Sequence, residues 1–148
     1  MRLIDYEIVS MMIDTQEVSK DNQDSIKNSN RNNFWRGEGA YATIIVQFLP
    51  TTVSQISVAL KTSAKVQISS SGDFHQDLIA QKDISVNPDR NFVNCLFKDT
   101  ELGQITKNKV VSVTIDIEKL EKTDKFLMVN WIMLYTNCLL YTSDAADE

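Results

Sequence analysis

The chain has 148 residues, of which 43% are hydrophobic and 24% charged, and its formal net charge is −5. These values are typical of one soluble globular domain and exclude a disordered or collagen-like chain. The sequence holds 12 Val, 14 Ile and 11 Thr, so 37 of 148 residues are β-branched and favour strands. The longest apolar run, 126–134, is interrupted by Asn130 and is too short to cross a bilayer. Acidic residues near the start argue against a signal peptide, so we expect an intracellular β domain.

The last eleven residues, 138–148, differ from the rest of the chain. They resemble the translation of a sequencing-library adaptor, so we interpret 1–137 as one domain of a truncated protein; a genuine polar tail is the alternative. Leaving out the three acidic residues of this tail changes the net charge from −5 to −2. One cysteine then remains, Cys95, which excludes an intramolecular disulfide and a thiolate metal cage.

Short apolar and alternating segments predict about eight strands. They are spaced at about 8–12 residues with no amphipathic helix between them, which is typical of an antiparallel β-sandwich. Two stretches, 19–33 and 99–106, lack the pattern and are expected to be irregular, the first with one helical turn. The predicted strands are 3–9, 43–48, 53–60, 64–69, 78–84, 91–97, 111–118 and 126–135.

Three details of this pattern can be tested against the fold. Val66 and Ile68 should point inward, and residues 49–52 should form a turn because Pro50 cannot donate a ladder hydrogen bond. The clearest strand is 111–118, in which apolar and polar residues alternate strictly, so the apolar ones should share one buried face. These apolar residues are Val111, Val113, Ile115 and Ile117.

Both tryptophans are expected to be in the core. Trp35 follows a polar segment, and we favour a buried Trp35 that closes one end of the core, with Arg36 at the surface. An exposed aromatic platform for a sugar or a base is the alternative for this pair. Trp131 lies in the long apolar strand 126–135 and is predicted to be buried.

Catalytic and metal-binding residues are not predicted. The chain has one histidine, His75, in a polar turn, and Cys95 lies within an apolar strand, so we favour a solvated histidine and a packed cysteine over a catalytic pair. The acidic segment 21–24 lacks the glycine and closing glutamate of an EF-hand loop and is interpreted as a solvated loop. We therefore predict neither enzymatic activity nor a cofactor.

Nucleic-acid binding would require clustered Lys and Arg side chains, because phosphate contacts supply most of the affinity. Two groups of basic residues are candidates. Lys27, Arg31 and Arg36 lie around the first loop, and Lys107 and Lys109 precede strand 111–118. Ordinary surface charge is the alternative interpretation.

Several segments together resemble the N-terminal domain of the X-ray repair cross-complementing scaffold protein of DNA single-strand-break repair. They are 63–68, the Trp35-Arg36 pair, 87–90, 97–102 and 126–135, and their order and spacing hold from about residue 3 to residue 136. The resemblance implies a jelly-roll β-sandwich of the galactose-binding-like type. It also implies a nuclear, non-catalytic scaffold that docks a repair polymerase and binds nicked or gapped DNA.

The resemblance further implies a protein-docking sheet that contains Lys65, Gln67, Gln76 and Asn94. The family has a bulky aromatic, an acidic, an aliphatic and an arginine residue at these positions, so the docking contact should differ here. Two other functions stay open. The start of the chain (1–5) and Phe34-Trp35 also resemble a small intraflagellar-transport sandwich subunit, and carbohydrate-binding modules share this fold type.

Overall fold

The computed structural model describes residues 1–28, 34–71, 76–87, 89 and 92–137. Arg31, His75 and the C-terminal tail lie outside these residues. Within them the chain is built from antiparallel strands, which confirms the expected all-β class. No helix in the described ranges is long and apolar enough to cross a membrane.

The described residues form eleven strands and two short helices. The additional strands, compared with the eight predicted, are two to four residues long. The strands are β1 (Arg2–Leu3), β2 (Glu7–Ile13), β3 (Gln16–Glu17), β4 (Trp35–Glu38), β5 (Tyr41–Thr51), β6 (Gln55–Leu60), β7 (Ala64–Ser71), β8 (Gln76–Ile84), β9 (Val93–Phe97), β10 (Val110–Lys119) and β11 (Phe126–Thr136). The helices are α1 (Lys20–Gln23) and α2 (Asp99–Leu102), each followed by a 3-10 turn, Asp24–Ile26 and Gly103–Thr106.

The strands form two sheets that pack face to face as a sandwich. Sheet 1 has the order β1-β11-β6-β9, and β4 also pairs with β11. β4 pairs with the start of β11 and β1 with its end, both on the side opposite β6. Sheet 2 has the order β3-β2-β5-β10-β7-β8. The core lies between the sheets, because alternate residues of each strand point inward.

Inward alternation is confirmed for most of the predicted positions. Val66 and Ile68 have no exposed surface, and neither have Val113, Ile115 and Ile117. The prediction for Val111 is wrong, since this side chain is 46% exposed. Val111 lies at an irregularity of the β10–β5 ladder, where the partner on β5 moves from Thr51 opposite Val110 to Gln47 opposite Ser112.

The predicted first strand, 3–9, is in fact divided between β1 and β2. The Ile4 amide donates to the carbonyl of Leu134 at 2.8 Å, and the buried Tyr6 hydroxyl donates to the carbonyl of Ile132 at 2.6 Å. Residues 4–6 therefore supply hydrogen-bond donors to the backbone carbonyls of β11 between β1 and β4, but they form no regular strand there.

The predicted turn at 49–52 is also wrong, because β5 continues through Pro50 to Thr51. The β5–β2 ladder ends at Gln47, and on the other side the β10 ladder is irregular opposite Pro50. Proline is tolerated in a sheet where its missing N–H faces no regular partner. Residues 99–106, expected to be irregular, form α2 and its 3-10 turn, with Glu101 accepting a hydrogen bond from the Lys98 amide.

The two tryptophans lie on opposite faces of sheet 1. Trp35 is 4% exposed and packs in the core, as predicted. A Cβ atom at Gly37 would collide with the Trp35 ring and with Ile13, so glycine makes room for the indole. The prediction for Trp131 is wrong: it is half-buried on the outer face, because the β11–β6 ladder shifts between Val129 and Trp131.

Lys82 links the open edges of the two sheets. Lys82 is on β8, opposite the inward-pointing Val66 of β7. Its ammonium donates to the carbonyl of Leu96 on β9 at 2.6 Å. The same ammonium forms an ion pair with Glu101 at 2.8 Å. The hydrogen bond that the Lys82 ammonium donates to Glu101, together with the one from the Lys98 amide, lowers the pKa of the Glu101 carboxyl.

Candidate nucleic-acid interface

Three cations lie over aromatic rings on the outer face of sheet 1. The Arg36 guanidinium lies 4.5 Å from the centroid of the Phe126 ring, and the Lys125 ammonium lies 5.4 Å from the same centroid. The Lys61 ammonium lies 4.3 Å from the centroid of the Phe34 ring. These distances are within the range of cation–π attraction, which holds a cation at a ring face without neutralising its charge. We name Arg36, Lys61 and Lys125 the cation cluster.

Strand pairing brings the cluster together. Arg36 on β4 lies opposite Met128 on β11, and the Lys61 amide donates to the Met128 carbonyl from the other side of β11 at 3.1 Å. Since neighbouring strands lie 4.7–4.9 Å apart, the two backbones are roughly 10 Å apart. Lys125 immediately precedes β11. The three cations therefore converge from distant parts of the sequence on one end of the outer face.

The positive charge of this cluster is not compensated by ion pairs. Within the described residues, none of the three cations forms an ion pair with a carboxylate. Glu38 shares the face and lies opposite Phe126 in the ladder, yet it does not pair with them either. In a chain with a net charge of −5, such a cluster is a local concentration of positive charge and therefore a candidate site for anionic ligands.

A hydrogen-bonded aromatic group occupies the middle of the same face. The Trp131 indole N–H donates to the Ser57 hydroxyl at 3.0 Å, and that hydroxyl donates to the Asn94 side-chain carbonyl at 2.6 Å. The Phe92 ring meets the indole edge-on, with centroids 4.9 Å apart. The indole thus lies across β6, which explains why Ser57 and Ala59 are buried although they point outward.

The DNA-binding candidates predicted from the sequence do not form one patch. Arg36 lies in the cation cluster, while Lys107 and Lys109 are exposed at the start of β10, near the opposite end of β11. Met128, beside the cluster, and Thr136, at the other end of β11, are eight residues apart, which corresponds to roughly 25 Å. Arg31 lies outside the described residues. Sequence reasoning missed Lys61 and Lys125, whose only signal was that each borders a predicted strand.

The protein-docking candidates are divided between the two faces of the sandwich. Lys65 and Gln67 lie on the outer face of sheet 2, where the Gln67 amide donates to Gln81 at 2.8 Å. Asn94 lies on the outer face of sheet 1, bonded to Ser57. Gln76 begins β8, and its side chain is outside the described part of the structure. A flat partner surface therefore cannot contact Lys65 and Asn94 together.

Cys95 is placed in the core, as the sequence indicated. It is 1% exposed, and burial raises the pKa of its thiol to about 11. The thiol is therefore protonated at neutral pH. The described residues contain no group of three or more His, Cys, Asp or Glu side chains that could hold a metal ion.

A cleft of about 560 Å³ with a mixed polar and apolar lining lies beside the end of β11. Its lining includes Asp5, Tyr6, Asp24, Lys27 and Asn28. The Lys27 ammonium lies 5.6 Å from the centroid of the Tyr6 ring, and burial raises the pKa of the Tyr6 hydroxyl. The cleft combines opposite charges with one aromatic ring, so it suits a neutral polar ligand better than an anion.

Comparisons with known proteins identify the fold. No protein-family model matches the chain, and no curated protein matches its sequence. One similar solved structure is reduced XRCC1 bound to the DNA pol beta catalytic domain (13% identity, 91% of this chain, 99% of that chain, TM-score 0.68). A second is the C-terminal domain of a chitobiase from Bacteroides fragilis (13% identity, 90% of this chain, 94% of that chain, TM-score 0.62). A third is the family 32 carbohydrate-binding module of C. perfringens NanJ in complex with galactose (12% identity, 88% of this chain, 92% of that chain, TM-score 0.54).

At these identities the likeness shows the fold and no more. The fold is the galactose-binding-like β-sandwich, as the resemblance implied. XRCC1 and carbohydrate-binding modules both have this fold, so function must be argued from the site.

Proposed function

We propose that this chain is a non-catalytic scaffold domain of DNA single-strand-break or base excision repair, acting in the nucleus. It binds nicked or gapped DNA and holds a repair protein beside it. The observation that carries the proposal is the cation cluster, in which Arg36, Lys61 and Lys125 converge without carboxylate partners. The likeness to XRCC1 over 91% of this chain supports it.

The cluster has the chemistry that a DNA backbone requires. Lys and Arg side chains displace the counterions condensed on phosphates, and the release of these ions favours binding. A carboxylate in an ion pair would compete with the phosphate for each cation, whereas an aromatic ring holds the cation in place and leaves its outer side available. The cluster is thus ready to bind phosphate without first breaking a salt bridge.

The proposed protein partner is a repair polymerase or another repair protein, by analogy with XRCC1 bound to the DNA pol beta catalytic domain. The candidate contacts are Lys65 and Gln67 on one face and Asn94 on the other. One flat partner cannot reach both faces. We therefore expect that only one of the two single substitutions, Lys65→Glu or Asn94→Glu, weakens capture of the partner.

The proposal is tested with the 148-residue chain and three duplexes of one sequence that are intact, nicked or gapped. We expect the nicked and gapped duplexes to bind more tightly than the intact duplex, with an affinity that falls as salt is raised. In parallel, the chain is immobilised and offered the catalytic domain of a base excision repair polymerase. Equal binding of the three duplexes, combined with no capture of a repair enzyme, would overturn the proposal.

Carbohydrate binding is the second candidate function. The C. perfringens module of this fold is solved in complex with galactose, and the cleft beside β11 suits a neutral polar ligand. A sugar that binds the chain on a glycan array, with binding lost in Asp24→Ala, would favour this function over DNA repair.

A further inference from the structure

We propose that the outer face of sheet 1 is a platform for single-stranded nucleic acid, on which unpaired nucleotides lie along β11. Their phosphates contact the cation cluster, and a base stacks on Trp131. This inference rests on the proposed function and deepens it, since it identifies the unpaired strand as the part of a gapped DNA that the domain recognises.

The outward positions of β11 form an apolar and aromatic row. Phe126, Met128, Trp131 and Tyr135 are partly exposed along this face, next to the cations rather than distant from them. Trp131 lies three residues beyond Met128, or about 10 Å along the strand. Proteins that bind single strands combine this pair of features: cations that follow the backbone and aromatic rings on which bases stack.

A β-bulge turns Trp131 toward this face. Val129 and Trp131 lie opposite the consecutive residues Leu60 and Ala59, so β11 has one extra residue there, Asn130. Without the bulge, Trp131 would continue the inward series of Leu127 and Val129. Bulges redirect side chains in this way beside functional sites.

The bulge also carries a cost that packing does not explain. Asn130 has no exposed surface, and neither its side-chain oxygen nor its nitrogen has a hydrogen-bond partner in the described structure. An unsatisfied buried amide destabilises a fold, and such costs occur where a function needs the local geometry. Here the geometry provides an outward-facing indole on the strand that bears the cations.

The indole is held in place before any ligand arrives. Its N–H is bonded to Ser57, whose own hydroxyl is bonded to Asn94, and Phe92 borders the ring. A preorganised ring loses little side-chain entropy when a base stacks on it. An intact duplex offers no free base face, because its bases are already stacked on one another. The aromatic half of this surface therefore favours an unpaired strand over a duplex or an acidic peptide.

The first experiment titrates the 148-residue chain with a single-stranded oligothymidylate and follows tryptophan emission. The chain has two tryptophans, and Trp35 is in the core, so we expect saturable quenching that disappears in Trp131→Phe. Inorganic polyphosphate, which has phosphates but no bases, should bind the cations without quenching. Equal quenching by polyphosphate would overturn the inference.

The second experiment measures affinity with a labelled oligothymidylate. Trp131→Ala should bind about tenfold more weakly or worse, because stacking supplies much of the single-strand affinity. Trp131→Phe retains a ring and should recover most of that loss, which separates stacking from a folding defect. Tyr41→Ala, a partly exposed aromatic on sheet 2, is the matched control and should bind normally. Unchanged affinity in Trp131→Ala, or stronger competition by an intact duplex or polyglutamate than by the single strand, would overturn the inference.

The two proposals fail in different ways. If single strands bind through Trp131 but nicked duplex is not preferred and no repair enzyme is captured, the repair function falls and the platform stands. If nicked duplex is preferred and Trp131→Ala binds it and the single strand normally, the platform falls and the repair function stands.

Discussion

The outer faces of the two sheets satisfy their polar groups in different ways. On sheet 2 the Thr43 hydroxyl donates to Asp116 at 2.9 Å. Lys65 lies in register between Glu118 and Asp83 on the neighbouring strands. Lys65 thus has a carboxylate beside it on each neighbouring strand, although within the described residues it forms an ion pair with neither. On sheet 1 the cation cluster faces aromatic rings and has no carboxylate partner among the described residues.

This difference is the one that our proposal requires between a solvated surface and a binding surface. Neighbouring charges of opposite sign offset each other and leave little potential for a ligand. Cations held by rings add less to folding but keep their charge available. Since both faces belong to one sandwich, the contrast comes from side-chain placement, and it can be tested without changing the fold.

The largest expected effect comes from removing the anchor of β4, the strand that carries Arg36. Trp35→Ala should lower the free energy of unfolding by about 3–5 kcal/mol, because it empties a large buried volume. Chemical denaturation measures this loss. Trp131→Ala is the comparison on the outer face, and its free energy of unfolding should fall by less than half of the amount lost in Trp35→Ala. Equal losses would contradict the placement of Trp131 outside the core.

The next effect concerns charge alone. The triple change Arg36→Gln, Lys61→Gln and Lys125→Gln should lower single-strand affinity about 100-fold at 0.1 M salt and reduce the slope of log affinity against log salt by about 2. Fluorescence anisotropy at several salt concentrations measures both. Lys65→Gln, on sheet 2, is the control and should leave both values unchanged. A similar loss in Lys65→Gln would show that net charge matters and the face does not.

The smallest effect concerns the stability contributed by Cys95 in the core between the two sheets. Burial raises the pKa of the Cys95 thiol to about 11, above the value of an unfolded chain. As pH rises the unfolded state loses its proton first, so the stability present at neutral pH is lost progressively between about pH 8.5 and 11. The free energy of unfolding should fall by about 1–2 kcal/mol between pH 8 and 10. Subtracting the same measurement on Cys95→Ala isolates this thiol; identical curves would mean that it is not buried.

Much of the fold could be predicted because a strand with one buried face has a period of two. This pattern located Val66, Ile68 and the inward residues of β10. Val111 and Trp131 were both placed inward, and each lies at an irregularity of its ladder. Val111 lies where the partner on β5 moves from Thr51 to Gln47, and Trp131 follows Asn130, an extra residue that inverts the alternation. A bulge depends on the partner strand, so the local sequence does not reveal it.

The candidate site could be predicted only in part, because it depends on contacts between distant segments. Arg36 was found since it follows Trp35 in the sequence. Lys61 approaches Phe34, and Lys125 shares the Phe126 ring with Arg36, only after β4, β6 and β11 have paired. The candidates Lys65 and Asn94 were grouped by resemblance, and the sandwich separates them.

The Lys82 side chain also has a consequence for how copies of the chain behave toward one another. Edge strands carry free backbone groups that can recruit a strand from another molecule. At Leu96 the ammonium of Lys82 already occupies the carbonyl of β9, and Glu101 neutralises that ammonium from α2. An incoming strand would have to displace this charged group from the Leu96 carbonyl. Lys82 thus opposes the addition of a strand from another copy of the chain at the β9 edge, and with it aggregation through paired edge strands.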